Sequence, residues 1–366
     1  MLTNKFGDYL LSLGLVLTFS QVATLEVPSI NTLYSYGTNA NGLIAVLSIS
    51  YLVATMAKSA QVGLHLWLIL AMQGPTPVSS LLHAATLVVA GPILLFKVST
   101  IVHYNVGLIV LIGIITSLLG SILALIQQDI KGVIAYSTMS QFGYIVSIAA
   151  IAAQSVANLH ITTHAAFKAC LFMAAGVVIH SSFDVQDNRR YGALIKLLPT
   201  AYMATLVCSL SLIAVPYTAG SISKDLILEV HASQYQLSHS IGFTIGVLVA
   251  SITALYSVKL LIMTYTSAAN QSKATYEGLH GANSYAIVPM SLLTILAVSL
   301  GYFGQPLLVD SMGYIDSLVV AELYNTAVRP IPILFVLLGT TMALLWCGSS
   351  YGLGQTTYRA LAHRLY

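Results

Sequence analysis

The sequence predicts an all-α, polytopic transmembrane helix bundle, and three observations lead there. Of 366 residues, 57% are hydrophobic and only 7% are Asp, Glu, Lys or Arg, against about 25% charged in soluble domains. Mean hydropathy is +0.86. The apolar residues also gather into segments of membrane length, about 20 residues each. A water-facing surface cannot be built from so few charges, so lipid and neighbouring helices must solvate the chain.

Ten segments qualify as spans: 9–27, 42–63, 77–97, 106–126, 131–152, 155–180, 197–215, 239–265, 285–303 and 330–347. Two shorter apolar stretches, near 64–72 and 221–235, follow a span closely and are too short to cross alone. Each reads as the second half of a broken helix, one after Lys58 and one after Pro216. Backbone breaks at membrane depth are tolerated only inside protein or beside a water-filled cavity. The connections 98–105, 181–196, 266–284 and 304–329 are too short for a soluble domain, so residues 1–366 read as one membrane domain.

Other function classes find little support. Net charge is +3 with scattered basic residues, which gives no stripe for nucleic acid. Cys170, Cys208 and Cys347 lie singly in apolar runs, fitting buried thiols better than a metal or iron–sulfur site. No glycine-rich nucleotide loop is present. The N-terminus carries no presequence or cleavage site, so insertion from the compartment of synthesis is expected.

Ionisable residues interrupt the apolar segments at a few places. Lys58 follows the uncharged run 42–57, and His83 sits six residues inside a span. His160, His164 and Lys168 are spaced i, i+4 and i+8, on one helix face. Lys224 follows the Pro216 break, beside Asp225 and near Glu229. Charges at the bilayer centre are costly and usually mark ion or proton paths. Complete burial can move a lysine pKa from about 10.4 down by about 3–5 units, and histidine begins near 6.5, so such groups can exchange protons near neutral pH. Lys97 and Lys259 fit snorkelling to the headgroups equally well. His103, His180 and His280 fit loop or helix-end positions. His160 and His164 have the spacing of a zinc pair, but no Glu follows His160 and no third ligand is evident.

Four motifs in register resemble the NADH dehydrogenase subunit 5 family, the distal antiporter-like subunits of respiratory complex I. They are Lys58 to Trp67 with Gln73-Gly74-Pro75-Thr76-Pro77 and His83-Ala84-Ala85; Asp129-Ile130-Lys131 to Tyr144; His160 to Ala169; and Gln186-Asp187 to Gly192 with Ser223-Lys224-Asp225. The resemblance covers roughly 42–265. It implies an antiporter-like bundle that translocates protons, driven by redox chemistry in other subunits. Lys58 would be the central lysine of the input half-channel and His83 the link to Lys168, with His160 and His164 beside it. Lys224, with Asp225 as neighbour, would be the outlet group.

The resemblance further implies no cofactor on this chain. NADH, flavin, iron–sulfur clusters and ubiquinone would sit elsewhere in the complex, in a mitochondrial inner membrane or a bacterial plasma membrane. Partners would be other complex I membrane subunits. The family's first helices, including the glutamate that pairs with a Lys58-type lysine, have no counterpart here, and Asp8 reads as a helix-end residue. The expectation is a split subunit, with a separate chain supplying those helices and a carboxylate near Lys58. Gln73 stands where the family usually has Glu, and Leu68-Ile69-Leu70-Ala71-Met72 where it has Pro-Asp-Ala-Met. Two other functions fit less well. The large subunit of a sodium/proton antiporter shares most of these motifs but normally extends well beyond this chain. A b-type cytochrome would need histidine pairs about four turns apart.

Overall fold

The computed structural model describes residues 2–35, 42–82, 86–151, 153–234, 236–271, 273–279, 281–310 and 328–362. The described residues are overwhelmingly helical, in sixteen α-helices. In chain order these are α1 Leu2–Val22, α2 Val27–Ser35, α3 Gly42–Lys58, α4 Leu66–Leu70, α5 Thr76–Leu81, α6 Ala90–Lys97, α7 Ser99–Val102 and α8 Val106–Ile126. There follow α9 Ile130–Ala150, α10 Gln154–Ser181, α11 Pro199–Ile213, α12 Ala219–Ser233, α13 Leu237–Leu261, α14 Lys273–Glu277, α15 Ser284–Gln305 and α16 Pro330–Ala362.

At the centre lies α9, with every one of its 21 residues buried except Tyr136. Helices α8 and α10 pack along it, and α13 closes the ring against α8 and α16. Lipid gives no hydrophobic drive for helix association, so close backbone approach through small residues does that work. Gly113 of α8 and Gly143 of α9 supply one such contact. A Cβ on Gly143 would stand 2.5 Å from the Gly113 carbonyl oxygen, so no larger residue fits between these backbones.

Six helical stretches among the described residues are long and apolar enough to cross a membrane: Ser99–Ile126, Ile130–Ala150, Gln154–Ser181, Leu237–Thr266, Ser284–Val309 and Pro330–Cys347. The expected ten spans all coincide with helix, but four are shorter or displaced. The 42–63 and 197–215 segments stop early, at Lys58 and Ile213, because the backbone turns there. The 77–97 segment is two helices, α5 and α6, rather than one. Hydropathy measures side chains and does not register such backbone breaks. The 9–27 segment begins at Leu2, so the helix includes Lys5 and Asp8, which a hydropathy window avoids.

Both expected broken helices are present. Between α3 and α4 the chain passes through Ala60 in the left-handed region (φ +53°). The Trp67 indole donates to the freed Ala57 carbonyl (2.9 Å), and the Val62 N–H donates to Thr116 Oγ1 on α8 (3.3 Å). Between α11 and α12, Ala214 and Tyr217 both have φ +71°. There Ser211 Oγ accepts from the Gly220 N–H (3.2 Å) and donates to Ala297 O on α15 (2.8 Å). Each break thus has its orphaned backbone groups met by side chains, as burial in a bundle requires.

Candidate functional site

Lys58 is the last residue of α3, and its Nζ lies 2.5 Å from Asp8 Oδ1 of α1. This corrects the expectation that no carboxylate of this chain could serve it. Asp8 is not a helix-end residue; it lies in the second turn of α1, which packs on α3 through Gly7 and Gly14. The lysine side chain is 26% exposed and the aspartate 54%, so Lys58 is half-buried rather than enclosed.

The next group is fully enclosed. Lys168 on α10 has no exposed surface. Its ammonium donates to Ile134 O (3.3 Å) and to the Ser137 hydroxyl, both on α9. Ser137 spends its own proton on the Ile134 carbonyl (2.8 Å), so it offers Lys168 a lone pair. No carboxylate of the described residues lies within 4.0 Å of Lys168.

One turn away, His164 is buried with both ring nitrogens unpaired among the described residues. Phe142 and Phe167 stand edge-on to it, each 5.3 Å between ring centroids. His160 follows, its ring 6.2 Å from that of His164. His160 Nδ1 pairs with Ser223 Oγ (2.9 Å) and Nε2 with Gln141 Oε1 (3.2 Å). Thr163 also meets Ser223 (3.0 Å), so Ser223 joins α10 to α12.

Lys224, the next residue on α12, is 2% exposed. It donates to Thr253 Oγ1 of α13 (3.0 Å) and lies 5.7 Å from the centre of the Tyr144 ring. Thr253 donates its proton to Ala250 O (2.7 Å), which leaves a lone pair for the lysine, the same arrangement as at Lys168. Asp225 is half-buried beside it and makes no ion pair within 4.0 Å among the described residues. Glu229 is instead paired with Arg329 at the entry to α16 (3.2 Å).

These contacts form a ladder on α9. Ser137, Gln141 and Tyr144 recur at helical spacing and meet Lys168, His160 and Lys224 in turn. Sequence reasoning singled out the lysines and histidines but gave no role to this polar stripe, to Ser223 or to Thr253, because serines and threonines are common in membrane helices and carry no charge. The spacing of 137, 141 and 144 was the available signal. His83 lies outside the described residues. Lys97 is exposed, while Lys259 donates to Leu125 O (2.8 Å) and sits 5.5 Å over the Trp346 ring, an anchor between α8 and α16. His103 and His180 are exposed, and His280 lies outside the described residues.

A fold with two interrupted helices around a buried cationic ladder has known relatives. Residues 1–253 match the family described as NADH:quinone oxidoreductase/Mrp antiporter, TM. Among similar proteins, the NADH-ubiquinone oxidoreductase chain 5 of Mycosarcoma maydis is 42% identical over 314 residues, covering 84% of this chain and 46% of that protein. That of Aspergillus niger is 41% identical over 84% of this chain and 47% of its own length. The Cryphonectria parasitica protein is 38% identical over 94% of this chain and 55% of its own length. This chain therefore spans about half the length of the relatives it matches. In three dimensions it superposes on a chain of the Mrp complex from Dietzia sp. DQ12-45-1b with TM-score 0.77 at 24% identity, over 94% of this chain and 38% of the other. The match runs from α1 through most of α13 and takes in both broken helices and the whole ladder: this chain belongs to the NADH:quinone oxidoreductase/Mrp antiporter transmembrane family.

Proposed function

We propose that this chain is a proton-translocating membrane subunit of NADH:ubiquinone oxidoreductase, moving protons along Lys58, Lys168, His164, His160 and Lys224. The observation that carries the reading is the buried ladder itself, in which two lysines are held by neutral hydroxyl and carbonyl acceptors and not by carboxylates. Among the described residues no carboxylate lies within 4.0 Å of either ammonium, so its charge responds to charges elsewhere in the bundle. Unit charges about 15 Å apart at an effective dielectric of about 20 interact by about 1 kcal/mol. Opening the Lys58–Asp8 pair separates opposite charges, a smaller change than a full unit charge, and it would bias proton occupancy at Lys168.

His83 is proposed as the link between Lys58 and Lys168, and Asp225 as the carboxylate that tunes Lys224. The relatives' names support a place in the mitochondrial inner membrane, with other membrane subunits packed against this one. Redox chemistry, with its nicotinamide, flavin, iron–sulfur and quinone groups, would belong to those partners. The second reading, a subunit of a sodium/proton antiporter, is favoured by the fold match to the Mrp complex.

Membrane vesicles containing the assembled complex separate the two. NADH addition should acidify or alkalinise the lumen in step with quinone reduction, while a sodium gradient alone should not. A pH change driven by sodium without NADH would favour the antiporter.

A further inference from the structure

His231 and His239 lie beyond Lys224, toward the end of the bundle where α12 finishes and α13 begins. Neither belongs to the four motifs, yet they are 1% and 2% exposed. Their rings stand 5.8 Å apart and tilted by 34°. His231 Nε2 pairs with Ser147 Oγ of α9 (3.0 Å), and Ser147 is the next rung after Tyr144 on the polar stripe. Burying two imidazoles in this position is costly unless they have a task.

The hydroxyl favours one tautomer. Ser147 donates its one proton to Tyr144 O (2.8 Å), so it can only accept from His231, and Nε2 carries the hydrogen. Nδ1 then has a bare lone pair, and it meets no hydrogen-bond partner among the described residues. The space in front of it is kept open by Gly242, where an added Cβ would lie 3.0 Å from Nδ1 and 2.7 Å from Ile114 Cδ1. His239 Nδ1 is likewise buried and unpaired. The next residues outward, Gln236, Leu237 and Ser240, are exposed.

We infer that His231 and His239 form a proton-transfer station that connects Lys224 to the bundle surface at the α12–α13 end. This rests on the proton-translocation reading above and extends it by one step. A proton taken up at one nitrogen of His231 is balanced by release from the other, so the ring returns to neutral having passed one proton across. N–H bonds of the ring and O–H bonds of the bridging water exchange the proton, and a ring flip or the reverse proton shift restores the starting tautomer. Lys224 and His231 are seven residues apart on α12, about 10 Å of helical rise, a distance that water must bridge. Among the described residues His231 meets His239 from α13 and Ser147 from α9, and Ile114 of α8 and His231 Nδ1 both stand close to Gly242. On its own helix, Glu229 is held by Arg329.

The test uses the assembled complex in vesicles, reading NADH-driven pH change and quinone reduction together for His231→Gln, His239→Gln and Lys224→Ala. Glutamine keeps a hydrogen-bonding side chain for Ser147 but cannot titrate, so a purely structural histidine would be replaced without loss. The inference expects each glutamine variant to pump about tenfold more slowly or worse, the scale of losing a positioned proton-transfer group. Normal pumping in both glutamine variants with loss in Lys224→Ala overturns this station alone. Normal pumping in all three overturns the proton-path reading with it. If His231→Gln does not assemble, His239→Gln, one turn from the surface, decides by the same criterion.

Discussion

Asp8 of α1 reaches Lys58 at the end of α3 across 2.5 Å, pairing the two charges beside the first helix break. Both side chains keep some exposure, and exposed pairs add only about 0–1 kcal/mol to stability. Asp8→Asn should therefore leave folding and assembly close to normal. Its effect should appear in turnover, because the neutral amide cannot follow the charge state of Lys58. A several-fold fall in NADH:quinone turnover with normal complex yield is expected. Unchanged turnover would remove this pair from the coupling.

Ser223 holds His160 in place, and Ser223→Ala leaves the Nδ1 of His160 without its partner. In membrane bundles such bonds contribute about 0.5–2 kcal/mol. The expected result is a modest drop in thermal stability of the complex and a larger loss of turnover, since His160 would no longer be oriented toward α12. Ser223→Thr, which keeps the hydroxyl, should recover much of the activity.

At the α8–α9 crossing, Gly143→Val should prevent assembly. The new side chain would begin 2.5 Å from the Gly113 carbonyl and the Ser117 N–H, both backbone atoms that cannot move aside. Subunit levels in the membrane, measured by native gel, check this directly. Normal assembly would mean that the two helices are farther apart than described.

The loop after α10 carries an acid-sensitive contact. Arg189 donates to Asp187 through Nε (3.1 Å) and Nη2 (2.8 Å), and these bonds hold the carboxyl below its ordinary value, partly offset by desolvation. A carboxylate depressed by folding contributes stability above its unfolded pKa of about 3.9, and that stability is lost as pH falls through the folded value. The Arg189 side chain is largely exposed, so the contribution is under about 1 kcal/mol. Hydrogen exchange at Asn188 and Tyr191 should accelerate below about pH 4, and Asp187→Asn should abolish that pH dependence.

Much of this architecture was legible in the sequence because charge is so scarce in it. Lys168 and Lys224 stood out against apolar flanks, and Pro216 marked the second break. What stayed hidden was geometric. Asp8 looked peripheral because hydropathy starts the first span after it, whereas the helix begins at Leu2 and brings Asp8 level with Lys58. The Ser137-Gln141-Tyr144-Ser147 stripe is neutral, so its meaning emerges only when α10 and α12 are seen to present cations to it. His231 and His239 lie eight positions apart in sequence and meet only because α12 and α13 fold back on each other.

Lys168 is the most enclosed cation of the ladder, and its substitution tests the account most directly. Removing a buried, unpaired charge need not weaken the bundle, so Lys168→Met, which keeps the length of the side chain, should assemble. In vesicles holding the assembled complex, NADH-driven proton pumping and quinone reduction should then fall together by about tenfold or more. Pumping at the normal rate in an assembled Lys168→Met complex would contradict the proton path through this chain.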